Sequence, residues 1–153
     1  MVAMDTLAIK TENKFRSLIT KQAHTKGEII CEIPTEKVVD KPNRYTVQIG
    51  RDRHTQVGKL SALNHSCDPN AGLRERSTLY AVKNIKKGEE ITYDYSTTID
   101  ESFWCKCSSK NCRGIIYDFF SLPNKAKRYY FGNNALPAHI MKKYRKLLNR
   151  IWN

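Results

Sequence analysis

The sequence predicts a mainly β protein built of small sheets, with a helical C-terminal extension. Three observations carry that prediction. Short runs alternate apolar and polar through the first two-thirds of the chain, turn signals bearing glycine separate them, and the apolar period changes to a helical one after the last cysteine. The chain has 153 residues, 40% hydrophobic and 27% charged. That is the composition of one globular domain with a real core.

Phe15–Thr20 and residues 28–33 read as strands joined by a turn at Lys26-Gly27. Residues 44–49 alternate, with Tyr45, Val47 and Ile49 on one face and Arg44, Thr46 and Gln48 on the other. Residues 50–53 turn the chain and residues 54–57 return beside it as a hairpin. Residues 60–70 read as loop, with Asp68-Pro69-Asn70 as a turn signal. Residues 79–82 and 90–95 are further strands. Lys-Gly-Glu precedes an apolar strand at residues 26–28 and again at 87–89, which is turn chemistry rather than a repeat architecture. Ser121 is placed to cap a short helix through about Tyr130, with Pro123 near its start. From Pro137, Ile140, Met141, Tyr144, Leu147, Leu148 and Ile151 fall on one helical face, and Lys142, Lys143, Arg145 and Lys146 fall largely off it.

Charge is unevenly placed. Lys and Arg number 27 against 15 Asp and Glu, for a net +12. Residues 121–153 carry eight of the basic residues and no acidic one, a solvated surface or a nucleic-acid contact. Residues 88–104 show the opposite bias: Glu89, Glu90, Asp94, Asp100 and Glu101 with no Lys or Arg. This window is either a dock for a cationic substrate or a soluble loop. No apolar run exceeds four residues, whereas a membrane helix needs about twenty and a secretory signal about seven or more. The expectation is an intracellular protein without a membrane partner, cytoplasm and nucleus not being distinguished.

Five cysteines, an odd number, argue against a disulfide scaffold in such a chain. Cys105, Cys107 and Cys112 form Cys-x-Cys-x4-Cys, a crowding that suits one tetrahedral Zn2+ bound by thiolates. Free thiols on a loop are the alternative. Cys67 is the candidate fourth ligand. Cys31 sits in a strand-like run and reads as a small buried hydrophobe. A four-cysteine site is closed to water and therefore structural. Lys106, Lys110 and Arg113 are placed to offset its charge.

Three segments, in this order, resemble the SET-domain family of protein lysine methyltransferases. They are Asn64-His65-Ser66-Cys67-Asp68-Pro69-Asn70, Gly88-Glu89-Glu90-Ile91-Thr92-Tyr93-Asp94-Tyr95, and the Cys105-x-Cys107-x4-Cys112-Arg113-Gly114 run, which is similar to the zinc-binding post-SET segment. The resemblance covers about residues 14–116. It implies a SET-domain fold of small β-sheets with a pseudoknot-like crossing, divided as residues 1–104 (SET domain), 105–116 (post-SET zinc segment) and 117–153 (helical extension). It also implies S-adenosylmethionine on one side of the crossing, a substrate lysine entering from the other through a narrow channel, and structural Zn2+ on Cys67, Cys105, Cys107 and Cys112.

By the same resemblance Tyr95 is the catalytic tyrosine. Tyr93 is the position that sets how many methyl groups are added, and a tyrosine there implies one or two. Asn64 and His65 resemble the cofactor-contacting pair, although an Asn in a tight loop or a satisfied polar His reads as plausibly from the residues alone. Tyr45 is matched to an aromatic on the strand before the Asn-His loop, and Ile115 to an apolar cofactor contact that is equally plain core. The family's Gly-x-Gly cofactor motif aligns with Phe15-Arg16-Ser17. Both glycines are gone, so Cβ atoms stand where backbone usually approaches the cofactor. Arg16 and Ser17 remain the aligned cofactor positions.

The leading functional reading is a zinc-stabilised protein lysine methyltransferase acting on a basic peptide or protein segment, histone-like tails included. The second is a SET-like binding module without catalysis, motivated by the missing glycines. The third is a zinc-containing nucleic-acid binder using the basic C-terminal segment, with Tyr129, Tyr130 and Phe131 as either stacking aromatics or core. The sequence does not fix the oligomeric state.

Overall fold

The computed structural model describes residues 4–35, 37–41, 43, 46–50, 53–74, 77–99 and 101–151. Along the chain the strands are β1 (Leu7–Glu12), β2 (Phe15–Thr20), β3 (Ile29–Glu32), β4 (Val38–Val39), β5 (Thr46–Gly50), β6 (Arg53–Gln56), β7 (Asn64–His65), β8 (Ala71–Arg74), β9 (Thr78–Ala81), β10 (Thr92–Tyr93), β11 (Phe103–Trp104) and β12 (Ile115–Ile116). Helices α1 (Asn124–Gly132) and α2 (Ala138–Ile151) follow. The strands pair as β1-β2, β4-β6-β5, β3-β9-β8, β10-β7 and β11-β12.

β1 and β2 form an antiparallel hairpin from Leu7 opposite Thr20 to Glu12 opposite Phe15. Its turn residues, Asn13 and Lys14, have φ of 47° and 68°. Positive φ at both positions is the turn geometry whose twist matches the flanking strands. The sequence pattern does not reveal β1, because only its first residue is buried. Residues 28–33 are therefore not the partner of β2; β3 joins β9 and β8 in a different sheet. The two Lys-Gly-Glu turns lie side by side. Gly27 and Gly88 have φ of 95° and 82°, a region other residues resist. In each turn the glutamate accepts the N–H three residues back, Glu28 from Thr25 at 2.7 Å and Glu89 from Lys86 at 2.8 Å. His24 and Ile85 exchange both backbone hydrogen bonds at 2.8 Å, tying one turn to the other.

The expected hairpin of residues 54–57 with residues 44–49 is β5-β6. Val47 is buried on it, and Tyr45 lies outside the described residues. Between β6 and β8 the expected loop contains a 3-10 turn (Gly58–Ala62) and β7. β7 pairs in parallel with β10, Asn64 opposite Thr92 and His65 opposite Tyr93. Ile91 donates its N–H to Leu18 O at 2.8 Å on the other side. Asn70 clamps the same stretch: its side chain donates to Glu90 O at 2.8 Å and accepts the Thr92 N–H at 2.9 Å. Residues 90–93 are thus held between β2 and the 64–70 loop.

One core cluster, with Leu7, Leu18, Ile30, Cys31, Leu60, Leu79, Ile85 and Ile91 at its centre, joins these sheets. Burial pushes the Cys31 thiol up to about 12, so it is an inert packing residue, as expected. A second cluster docks the C-terminal helices on the back of β9: Tyr80 and Val82 meet Phe119, Leu122, Tyr130, Ala135, Leu136, Met141 and Tyr144. The approach is close. A Cβ on Gly72 would stand 3.1 Å from Val82 Cγ1 and 3.3 Å from Ala135 Cβ. Ser121 does not cap α1. Pro123 occupies the N-cap position without a side-chain bond, and the Ser121 hydroxyl donates to Asp118 at 2.6 Å in a preceding 3-10 turn. In α2, Met141 and Tyr144 are buried as expected, while Leu147 is exposed. No helix among the described residues is long and apolar enough to cross a membrane.

Candidate active site and metal centre

Two clefts meet at Tyr95. The first, of about 600 Å³, is lined by Tyr93, Tyr95, Leu63, Thr98 and Phe103, with Asp40, His54 and Glu101 among its polar residues. The second, of about 440 Å³, is lined by Asn64, His65, Ser66, Phe15, Glu90 and Trp104 among others, and again by Tyr95 and Phe103. The β7-β10 pairing produces this arrangement by setting Asn64-His65 against Thr92-Tyr93. The Tyr93 and Tyr95 rings lie 5.0 Å apart between centroids, and His65 stands 5.3 Å from Tyr95.

The two tyrosine hydroxyls and the Asn64 amide each have a partner. The Tyr95 hydroxyl donates to Leu63 O at 3.0 Å, and the Tyr93 hydroxyl and Thr98 Oγ1 lie 3.1 Å apart. Asn64 Nδ2 donates to Arg16 O and to Glu90 Oε1, both at 2.8 Å. Burial raises the pKa of both tyrosines, reinforced by Glu90 at Tyr95 and only partly offset by the Thr98 hydrogen bond at Tyr93. Both phenols therefore stay protonated at neutral pH, and neither serves as a general base.

His65 joins this centre to the cysteines. Its Nδ1 accepts the Tyr95 N–H at 3.1 Å. The ring proton therefore belongs on Nε2, 3.2 Å from Cys67 Sγ. Burial lowers its pKa to about 4 despite the neighbouring Asp94, with Arg113 adding to the lowering, which keeps the ring neutral. The Cys67 and Cys105 sulfurs are 3.7 Å apart. That is far beyond a disulfide and close to the separation of roughly 3.8 Å that two thiolates take around a tetrahedral Zn2+. Ligand atoms of His65, Cys67, Cys105 and Cys107 lie within 4.8 Å of one another, and Cys112 is in side-chain contact with Cys105 and Cys107. Backbone N–H groups point at the sulfurs, from Arg113 to Cys67 at 3.4 Å, Cys67 to Cys107 at 3.5 Å and Gly114 to Cys112 at 3.4 Å. This donor set fits a zinc ion.

Residues 16–96 match the family model described as SET domain. The chain belongs to the SET-domain family. It is 33% identical over 101 residues to the histone-lysine N-methyltransferase ATX2 of Arabidopsis thaliana, covering 60% of this chain and 8% of that protein. It is 29% identical over 174 residues to a variant-silencing SET domain-containing protein of Plasmodium falciparum, covering 94% of this chain and 6% of that one. The chain thus spans less than a tenth of the length of either relative. Its fold matches KRYPTONITE, solved in complex with mCHG DNA and SAH, with a TM-score of 0.58 at 24% identity, over 72% of this chain and 29% of that chain. This match establishes the SET-domain fold of small sheets.

Not every residue singled out in this SET domain reaches a cleft. Arg16 touches the site through its carbonyl oxygen, and neither Arg16 nor Ser17 lines the second cleft, where Phe15 stands instead. On β12 it is Ile116, buried, that lines the cleft, while Ile115 is half-buried beside it. The acidic window divides. Asp94 is buried, Glu89 and Glu90 bond within the fold, and Asp100 lies outside the described residues. Of the described acidic residues in this window, only Glu101 lines the first cleft, together with a carboxylate from outside the window that the sequence did not suggest, Asp40. Arg113 serves two partners: its guanidinium forms a bidentate pair with Asp94 at 2.9 and 2.7 Å, and its charge also favours the Cys67 thiolate. Of the three C-terminal aromatics, Tyr130 is buried and Phe131 packs against the second cluster; Tyr129 is exposed.

Proposed function

We propose that the chain is an S-adenosylmethionine-dependent protein lysine methyltransferase. The observation that carries this reading is the pair of clefts meeting at a half-buried, protonated Tyr95. S-adenosylmethionine supplies the methyl group on a sulfonium, from the second cleft. The lysine enters by the first, whose aromatic walls favour its neutral amine by desolvation. With both bound, the neutral amine would take the methyl group in line as the carbon–sulfur bond broke, and its surplus proton would leave to solvent. Tyr95 and nearby carbonyls such as Leu63 O orient the reactants, and positioning is the main contribution asked of the protein. Incubation with S-adenosylmethionine and an amino-terminal histone H3 peptide, read by mass spectrometry, tests the reading. A mass gain of one or two methyl groups is expected; no gain on H3 peptide or on whole core histones counts against it.

Cys67, Cys105, Cys107 and Cys112 are the proposed zinc ligands. With Nδ1 already accepting the Tyr95 N–H, His65 presents a proton rather than a lone pair to the cluster and orients Cys67 from outside. The proposed product is mono- or dimethyllysine. The Tyr93 hydroxyl sits at the buried end of the first cleft against Thr98, where it takes the space a third methyl group needs. Tyr93→Phe should shift the product towards trimethyllysine with kcat for the first methyl changed less than about threefold. An unchanged product spectrum would remove Tyr93 from this role.

The proposed substrate is basic around its target lysine, because Asp40 and Glu101 flank the first cleft. Glu101→Gln should raise KM for a cationic peptide about two- to fivefold in low salt and less at physiological salt, where screening acts over roughly 8 Å. A KM independent of both charge and salt contradicts this. Nucleic acid is a proposed second partner: Lys142, Lys146 and Arg150 are exposed one turn apart on α2, whose apolar face is already used against the core, and such a stripe suits a phosphate backbone.

A further inference from the structure

We propose that Tyr130, from the helical extension, is a positioning residue for methyl transfer, acting through Asp94. This inference rests on the methyltransferase reading. Asp94 lies between the two site tyrosines and is 1% exposed. Its Oδ1 accepts Ser96 N–H at 3.0 Å and Arg113 Nη2 at 2.7 Å; its Oδ2 accepts Arg113 Nη1 at 2.9 Å and the Tyr130 hydroxyl at 2.6 Å. Four donors fill the lone-pair sites of a carboxylate. The side chain therefore has one orientation. The Asp94 carbonyl is held as well, by Thr97 N–H at 3.0 Å and Thr97 Oγ1 at 2.8 Å. With both ends fixed, the backbone that aims Tyr93 into its channel and Tyr95 at the junction of the clefts cannot drift.

The Tyr130 hydroxyl is not explained by packing. Its ring belongs to the same buried cluster as Phe119, Leu122, Leu136 and Met141, where phenylalanine would fill the same volume without a hydroxyl to desolvate. The hydroxyl is instead delivered to a carboxylate 36 residues away in sequence. Arg113 approaches the same carboxylate from the cysteine segment, its own N–H on Cys67 Sγ. The segment that carries Tyr93 and Tyr95 is thus gripped from two sides, by the cysteine segment and by α1.

The test compares Tyr130→Phe with Phe119→Leu, a packing change in the same cluster. For each, zinc content, thermal midpoint, the active fraction by titration with S-adenosylhomocysteine, and kcat and KM on an H3 peptide are measured well below the midpoint. Tyr130→Phe should lower kcat per active site about tenfold, with KM and cofactor affinity within twofold. Phe119→Leu should lower the midpoint and leave kcat per active site unchanged. Equal kcat in Tyr130→Phe and wild type, or equal losses in both variants, overturns the positioning role while leaving the methyltransferase reading standing. Wild-type protein that binds cofactor yet methylates neither H3 peptide nor core histones overturns both.

Discussion

Tyr95→Phe should reduce the rate of methyl transfer about a hundredfold, roughly 2.7 kcal/mol of barrier, the scale set by deleting one preorganised polar group at a reacting centre. The ring will stay. It packs between His65, Tyr93 and Phe103 at centroid distances of 5.3, 5.0 and 6.3 Å, and its N–H is held by His65. What is lost is the hydroxyl and its bond to Leu63 O. An unsatisfied, partly buried carbonyl costs about 1–3 kcal/mol of stability, so a lower thermal midpoint is expected as well. The two effects separate in a single-turnover experiment with saturating cofactor at low temperature, where only the folded fraction reacts. Cofactor affinity measured by calorimetry should be nearly unchanged, because the hydroxyl's partner is Leu63 O on the wall of the first cleft. A variant turning over within threefold of wild type would mean that Tyr95 merely fills the junction of the clefts.

The strands that alternate in sequence were legible because one face of each is buried. Val47 on β5 and the alternation of Leu18 and Thr20 on β2 show it. β1 was illegible for the opposite reason, since it exposes most of its length and is specified by its hairpin turn. The two-residue strands β7 and β10 are too short to carry a period. Their pairing comes from burial of Ile91 and from Asn70, neither of which announces a strand. At the site, residue types with strong chemistry were readable: the cysteine spacing, the Asn-His pair and the two tyrosines. The Asp94–Arg113–Tyr130 network was not. Asp94 looked like one more charge in an acidic window, and Arg113 like a neutraliser of thiolates. An aspartate set between two aromatics in a buried strand was the available signal, because a carboxylate there requires a dedicated cationic partner. Which arginine, and that a tyrosine from α1 would join it, depends on contacts 19 and 36 residues apart.

Removing the metal should abolish transfer and cofactor binding together while leaving most of the fold in place. The reason lies in how burial is distributed. Of residues 101–116, only Ile116 is buried among those described. The segment has no core of its own, and the two-residue pairing of β11 with β12 does not hold it. Its order has to come from the ion, whose binding to small cysteine sites contributes roughly 10–16 kcal/mol. The main cluster is separate and needs no metal. Chelation under reducing conditions should therefore release one zinc per chain with little change in far-ultraviolet circular dichroism. The consequences for the site are larger. Trp104, Lys106 and Cys107 form a wall of the second cleft, so affinity for S-adenosylmethionine should fall at least about a hundredfold as that wall opens. Arg113 would leave with the segment, stripping Asp94 of its bidentate partner. Burial of that uncompensated charge should then lower the thermal midpoint of the remaining fold. Cys67→Ser should reproduce all three effects, because Cys67 couples the Asn-His loop to the cysteine segment through the Arg113 N–H. Metal-free protein that still binds cofactor and transfers methyl groups at the wild-type rate would show instead that β11 and β12 are held by their own contacts.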